Sequence, residues 1–284
     1  MKYVMLHGRA QAGKDKGALK ASWIQAFNKG RQALNSPKPN VNDGDVLFPF
    51  YGDALEELIA KLEMDDDSVV KRGVDPDDPI LAIKYAIASE FAANLNLDKD
   101  AINQEYTGKA IERGPENWEW VQGLLRVLDR TKVGDWSVSR FTRDTAVYLH
   151  YPAVRKAINQ LVVESVGAEE CMWITHSMGT IIAYDILSKN SQIKAPKLAT
   201  LGSPLGIKAI KRHLQSPLAM PLGVGHWTNF YDERDLVPLY PLSKASGWDI
   251  KPPIDSKVVT NLDANNPHSF AGYLAESTFA AYID

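Results

Sequence analysis

The segment Thr175-His176-Ser177-Met178-Gly179 constrains this chain more than any other, because an apolar run enters it and a helical run leaves it. Cys171-Met172-Trp173-Ile174 reads as a short buried strand. Ile181 to Leu187 reads as an amphipathic helix that Ser188, Lys189 and Asn190 close. A serine at the sharp turn between such a strand and helix has its hydroxyl lifted out of the sheet and set before the helix N-terminus. The dipole and free amides there favour negative charge developing nearby, which a nucleophilic serine requires. Gly179 stands where the helix has to pass close to the strand. The plain alternative is a strand–helix connection with an incidental serine.

A serine nucleophile needs a base, and the base needs a carboxylate to hold its tautomer and orientation. Downstream, His226 to Tyr231 alternates like a strand and opens into Asp232-Glu233-Arg234-Asp235-Leu236-Val237-Pro238, a loop with two candidate acids. Ser256 to Leu262 reads as another β-branched strand, leading to Asn266-Pro267-His268-Ser269-Phe270 before a final helix. The chain order is therefore Ser177, Asp235, His268, with Asp232 the rival acid nearer the strand end.

On these residues the chain resembles the α/β-hydrolase family, especially its lipase- and esterase-like members. The matching stretches are Leu6-His7-Gly8, His176-Ser177-Met178-Gly179, Leu201-Gly202-Ser203-Pro204, Asp235-Leu236-Val237-Pro238, and His268 ahead of Tyr273-Leu274. The turn departs from G-x-S-x-G at its first glycine, which is Thr175 here. The resemblance implies a single α/β domain with a mostly parallel central sheet and helices on both faces. It implies Ser177 as nucleophile, His268 as base and Asp235, with its Leu-Val-Pro sequel, as the acid. The oxyanion donors would be the amides of Met178 and of Arg9 or Ala10. The expected reaction is cleavage of a small-molecule or lipid ester, with no cofactor and no metal. The stretch from about 62 to 140 is unmatched and is expected to form a helical cap.

Strands alternating with helices support the parallel sheet independently. Tyr3 to Leu6 is a first strand, Leu19 to Asn28 a helix, Val46 to Tyr51 a second strand and Ala54 to Leu62 a helix. The acidic runs Asp65-Asp66-Asp67 and Asp75-Pro76-Asp77-Asp78-Pro79 then interrupt the rhythm. They read as solvated loops or helix starts, since their spacing does not match an EF-hand loop. Helical patterns follow at Ile80 to Leu95 and Trp118 to Leu128, and one long helix is expected from Thr145 to Val166. Trp118, Trp120, Leu124, Leu125 and Leu128 recur at near-helical spacing and read first as core between cap and body.

The remaining signals bound the setting. At 284 residues and 45 % apolar, the chain is long enough for a full core. A net charge of −3 without a basic cluster argues against a nucleic-acid partner. No run of about 18 apolar residues is present to span a membrane. Met1 to His7 is too short for a signal peptide, and with the lone Cys171 a cytoplasmic location is expected. Cys171 itself reads as a small core residue. His150, His213 and His226 do not sit at metal-ligand spacing, and His7 and His176 read as structural. Ser203 reads as part of a turn. The rival motif is Gly8 to Lys14, which fits a phosphate-binding G-x-x-x-x-G-K but continues with Asp15, where a magnesium-binding hydroxyl belongs.

Overall fold

The computed structural model describes residues 1–8, 11–66, 78–97, 118–131 and 137–283. Its elements run β1 (Lys2–Leu6), α1 (Lys16–Ala33), β2 (Val46–Leu47), α2 (Gly52–Asp66), α3 (Pro79–Asn94), α4 (Trp118–Thr131), α5 (Val138–His150) and α6 (Pro152–Val166). The chain continues through β3 (Cys171–His176), α7 (Met178–Lys189), β4 (Ala195–Leu201), α8 (Lys208–Lys211), β5 (Val224–Tyr231), β6 (Asp255–Val258), α9 (Phe270–Leu274) and α10 (Ser277–Ile283).

The strands form a six-stranded sheet of order β2-β1-β3-β4-β5-β6, every described pairing parallel. Side chains alternate across it, as strand geometry requires. Val4, Leu6, Trp173, Leu198 and Trp227 join one core with α2 to α7, while Tyr3, Met5, Met172, Ile174, Ala199, Leu201 and Phe230 join another with α1, α9 and α10. Apolar residues on both sides of a strand demand cover on both faces, and parallel crossovers supply it. The expected α/β class is what the structure has. Among the described residues, no helix is long and apolar enough to cross a membrane.

Four expected elements differ, each for a local reason. The second strand stops at Leu47, because Pro49 offers no N–H to a ladder. The long helix expected from Thr145 to Val166 is two, α5 and α6, meeting at Tyr151 with φ −90° and ψ 107°. Pro152 disfavours the helical region for the residue before it and suits the first helical position after it. The strand expected through Leu262 pairs only to Val258, and the Asn261 N–H turns instead to the Asp232 carboxylate at 2.6 Å. The last helix is also divided. Glu276 accepts from the Phe279 N–H at 3.0 Å and so caps α10.

Helices α3 and α4 lie in the stretch from about 62 to 140 that sequence leaves unmatched. Asp78, from the second acidic run, caps α3 through the Ile80 N–H at 2.8 Å; Asp67 and Asp75 to Asp77 lie outside the described residues. Leu124, Leu125 and Leu128 of α4 are buried; the side chains of Trp118 and Trp120 lie outside the described part. Glu90 of α3 accepts from the N–H groups of Lys208 and Ala209 at 3.0 and 2.8 Å, which ties α3 to the start of α8.

Asp185 on α7 clamps the helices behind β3. Its buried carboxylate accepts from Arg155 Nε at 2.8 Å and Asn159 Nδ2 at 2.6 Å, and pairs with Lys189 Nζ at 2.7 Å. Burial pushes the carboxyl pKa up, but hydrogen bonds from Arg155 and Lys189 outweigh it and leave the group below its ordinary value. Asp185→Ala strands the guanidinium of Arg155, so urea unfolding should show a loss of about 3 kcal/mol. A loss under about 1 kcal/mol would mean that the clamp is not what joins α6 to α7.

Candidate active site

Ser177 closes β3 and heads α7 at φ 54° and ψ −130°, a region that non-glycine residues rarely occupy. The surroundings hold it there. Its N–H donates to Leu201 O at 3.0 Å, and its carbonyl accepts from the Thr180 N–H at 2.9 Å and the Thr180 hydroxyl at 2.7 Å. Ser203 Oγ lies 2.8 Å from that hydroxyl; because the Thr180 proton is committed to Ser177, Ser203 donates. Gly179 leaves no room for a side chain, since a Cβ there would lie 2.7 Å from Leu6 O. Thr175 fits in place of the usual first glycine because its hydroxyl donates to Ala199 O at 3.0 Å.

The turn aims the Ser177 hydroxyl at His268. Ser177 Oγ and His268 Nε2 are 2.8 Å apart, and His268 Nδ1 and Asp235 Oδ2 are 2.7 Å apart. An ionised carboxylate only accepts, so Nδ1 carries the imidazole proton and Nε2 presents its lone pair to the serine hydroxyl. All three residues are buried. The strands deliver them from three loops at one end of the sheet, after β3, β5 and β6. Asp235 is fixed in turn by the Val237 N–H at 2.9 Å on Oδ1 and by the Tyr273 hydroxyl at 2.8 Å on Oδ2.

Asp232 has other partners. Its carboxylate holds Arg234 Nη2 at 2.6 Å and the N–H of Asn261, whereas it is Asp235 that is hydrogen-bonded to His268 Nδ1.

Of the expected oxyanion donors, Met178 opens α7, where first-turn amides have no intrahelical acceptor. Arg9 and Ala10 lie outside the described residues. Gly8, just before them, faces the serine: a Cβ there would sit 2.8 Å from Ser177 Cβ and 3.3 Å from its Oγ. The far end of the stretch that resembles a phosphate loop is otherwise engaged. The Gly13 N–H donates to Asp53 at 2.7 Å, and Asp15 caps α1 through the Ala18 N–H at 2.6 Å. Two carboxylates thus stand where a phosphate would need amides.

The neighbouring histidines are structural in their bonding. His176 Nε2 donates to His268 O at 2.9 Å, beneath a ring 4.6 Å away. His7 Nδ1 donates to Gly8 O, which leaves Nε2 to accept from the Tyr51 N–H at 3.2 Å. Burial drives both rings toward the neutral form, lowering His7 to about 4 and His176 well below its ordinary value. Thr180, Ser203 and Tyr273 were not singled out as site residues by sequence. The Ser177–Thr180 spacing is a legible turn signal, whereas the Tyr273–Asp235 contact spans 38 residues and has none.

No protein-family model matches the sequence, and no curated protein matches it.

The two neutral histidines set an acid limit on stability. An unfolded histidine titrates near its ordinary 6.5, whereas His7 titrates at about 4 when folded. Between those values the unfolded chain binds protons that the folded chain refuses, so stability is complete above the window and is lost as pH falls through it. Each histidine contributes a slope of about 1.4 kcal/mol per pH unit. Urea midpoints measured from pH 7 to 4.5 should decline accordingly; a flat profile would contradict burial of neutral rings.

Proposed function

We propose that this protein is a serine hydrolase of the α/β-hydrolase type, cleaving carboxylic esters with a lipid-like or otherwise hydrophobic acyl group. Ser177 attacks the acyl carbonyl while His268 takes its proton, and Asp235 steadies the imidazolium. The oxyanion rests on the Met178 amide and on one from Arg9 or Ala10. His268 returns the proton to the leaving alcohol, and water repeats the sequence on the acyl-enzyme. The helices of the insertion at about 62–140, α3 and α4, serve as the cap, excluding water and supplying apolar walls; the bonds that Glu90 accepts from the start of α8 tie α3 to the body. The lone buried Cys171 fits a reducing compartment such as the cytoplasm.

One observation carries the reading: the relay from Ser177 through His268 to Asp235, with both bonds under 3 Å. A binding protein that had abandoned catalysis would have no need to keep all three members in register. A nucleotide-binding loop would need the amides that Asp53 and Asp15 occupy.

Hydrolysis of p-nitrophenyl esters of rising chain length tests the proposal. Ser177→Ala should lower kcat by about a thousandfold or more, and Asp235→Asn by a comparable factor. Native-like turnover in Ser177→Ala would refute it, and full activity in Asp235→Asn would reassign the acid.

A further inference from the structure

Beyond the three residues of the relay, the geometry points to Tyr273 as a positioning residue, whose hydroxyl fixes the Asp235 carboxylate and through it tempers the basicity of His268. The kinetic consequence rests on the hydrolase reading; the hydrogen-bond coupling does not.

The argument begins at one atom. Asp235 Oδ2 receives His268 Nδ1–H at 2.7 Å and the Tyr273 O–H at 2.8 Å. The direction of the tyrosine proton is settled by a third group, because the Asp232 N–H donates to the same hydroxyl oxygen at 3.0 Å. With its acceptor side taken, the hydroxyl turns its proton to Asp235. Tyr273 is fully buried on α9. Burial, and then the charge of Asp235, raise its pKa well above the ordinary value, so it stays a donor. Gly202, at φ +53°, makes the room. A Cβ there would lie 3.0 Å from Asp235 Oδ2, 3.1 Å from Tyr273 Cε2 and 3.2 Å from His268 Cε1.

Two effects follow. With the Val237 N–H on Oδ1, three donors hold the carboxylate plane, and hence the imidazole, in line with Ser177. A carboxylate that shares its charge with a tyrosine also has less to give an imidazolium. Tyr273 therefore trades some base strength for alignment.

Tyr273→Phe keeps the ring and removes the hydroxyl, and with it both the bond to Asp235 and the acceptor of the Asp232 N–H. Followed by NMR, the His268 imidazole titration should move upward by about half a pH unit in this variant. The acidic limb of kcat/KM should move with it, kcat should fall severalfold, and KM should stay. Combining the change with Asp235→Asn separates this role from a purely structural one. Once Asp235 is neutral, losing the hydroxyl should move the titration no further. A titration midpoint and limb unmoved by Tyr273→Phe would overturn the inference, as would an equal shift in the Asp235→Asn background. The unaltered protein offers a check without any variant: the Tyr273 hydroxyl proton should exchange slowly in proton spectra, and fast exchange counts against the bond. An absence of ester hydrolysis in the wild type would defeat the proposed function while leaving the titration result readable.

Discussion

Much of this structure depends on how closely α7 starts against β1. Only a glycine at 179 lets the first turn lie on the carbonyls of Leu6 and His7, and that approach forces Ser177 into a left-handed conformation. Strain of this kind costs roughly 1–3 kcal/mol and persists only where neighbours over-determine it. Here the Leu201 carbonyl, the Thr180 amide and hydroxyl, and Ser203 behind them do so. The same turn presents Gly8 to the serine and sets the serine at the head of a helix. Packing and site geometry are one arrangement seen from two sides.

Charge is handled differently in front of the sheet's end and behind it. Behind, Asp185 is kept ionised by Arg155 and Lys189 and binds helices together. Around the serine, His7 and His176 are kept neutral, their described ring hydrogen bonds going to backbone groups. That leaves His268 as the histidine facing both the serine hydroxyl and a carboxylate. Asp232, so near in sequence, is held instead by Arg234 and the Asn261 amide.

The parts legible in the sequence were those governed by short-range pattern. The apolar run before Ser177 and the β-branched segments after it mark strands, and their order places serine, acid and histidine on loops at one end of a parallel sheet. Pro152 is a readable break, although apolar periodicity continues on both sides of it. Asp235 is favoured over Asp232 in the sequence only by the Leu-Val-Pro sequel that the resemblance weighs; the partners that hold Asp232, Arg234 and the Asn261 amide, have no such signal. Tyr273 was equally silent: its partner lies 38 residues away, and nothing about a tyrosine on a short helix announces an acceptor. The stretch from 62 to 140 shows helices without a motif, and the burial of Leu124, Leu125 and Leu128 explains their spacing as core.

The central claim is that Ser177 is an activated nucleophile. Fluorophosphonate labelling of the folded protein, with the modified peptide mapped by mass spectrometry, tests it most directly. The account predicts one adduct, on Ser177, that disappears in His268→Ala. A folded protein that takes no label, or labels on another residue, would contradict it.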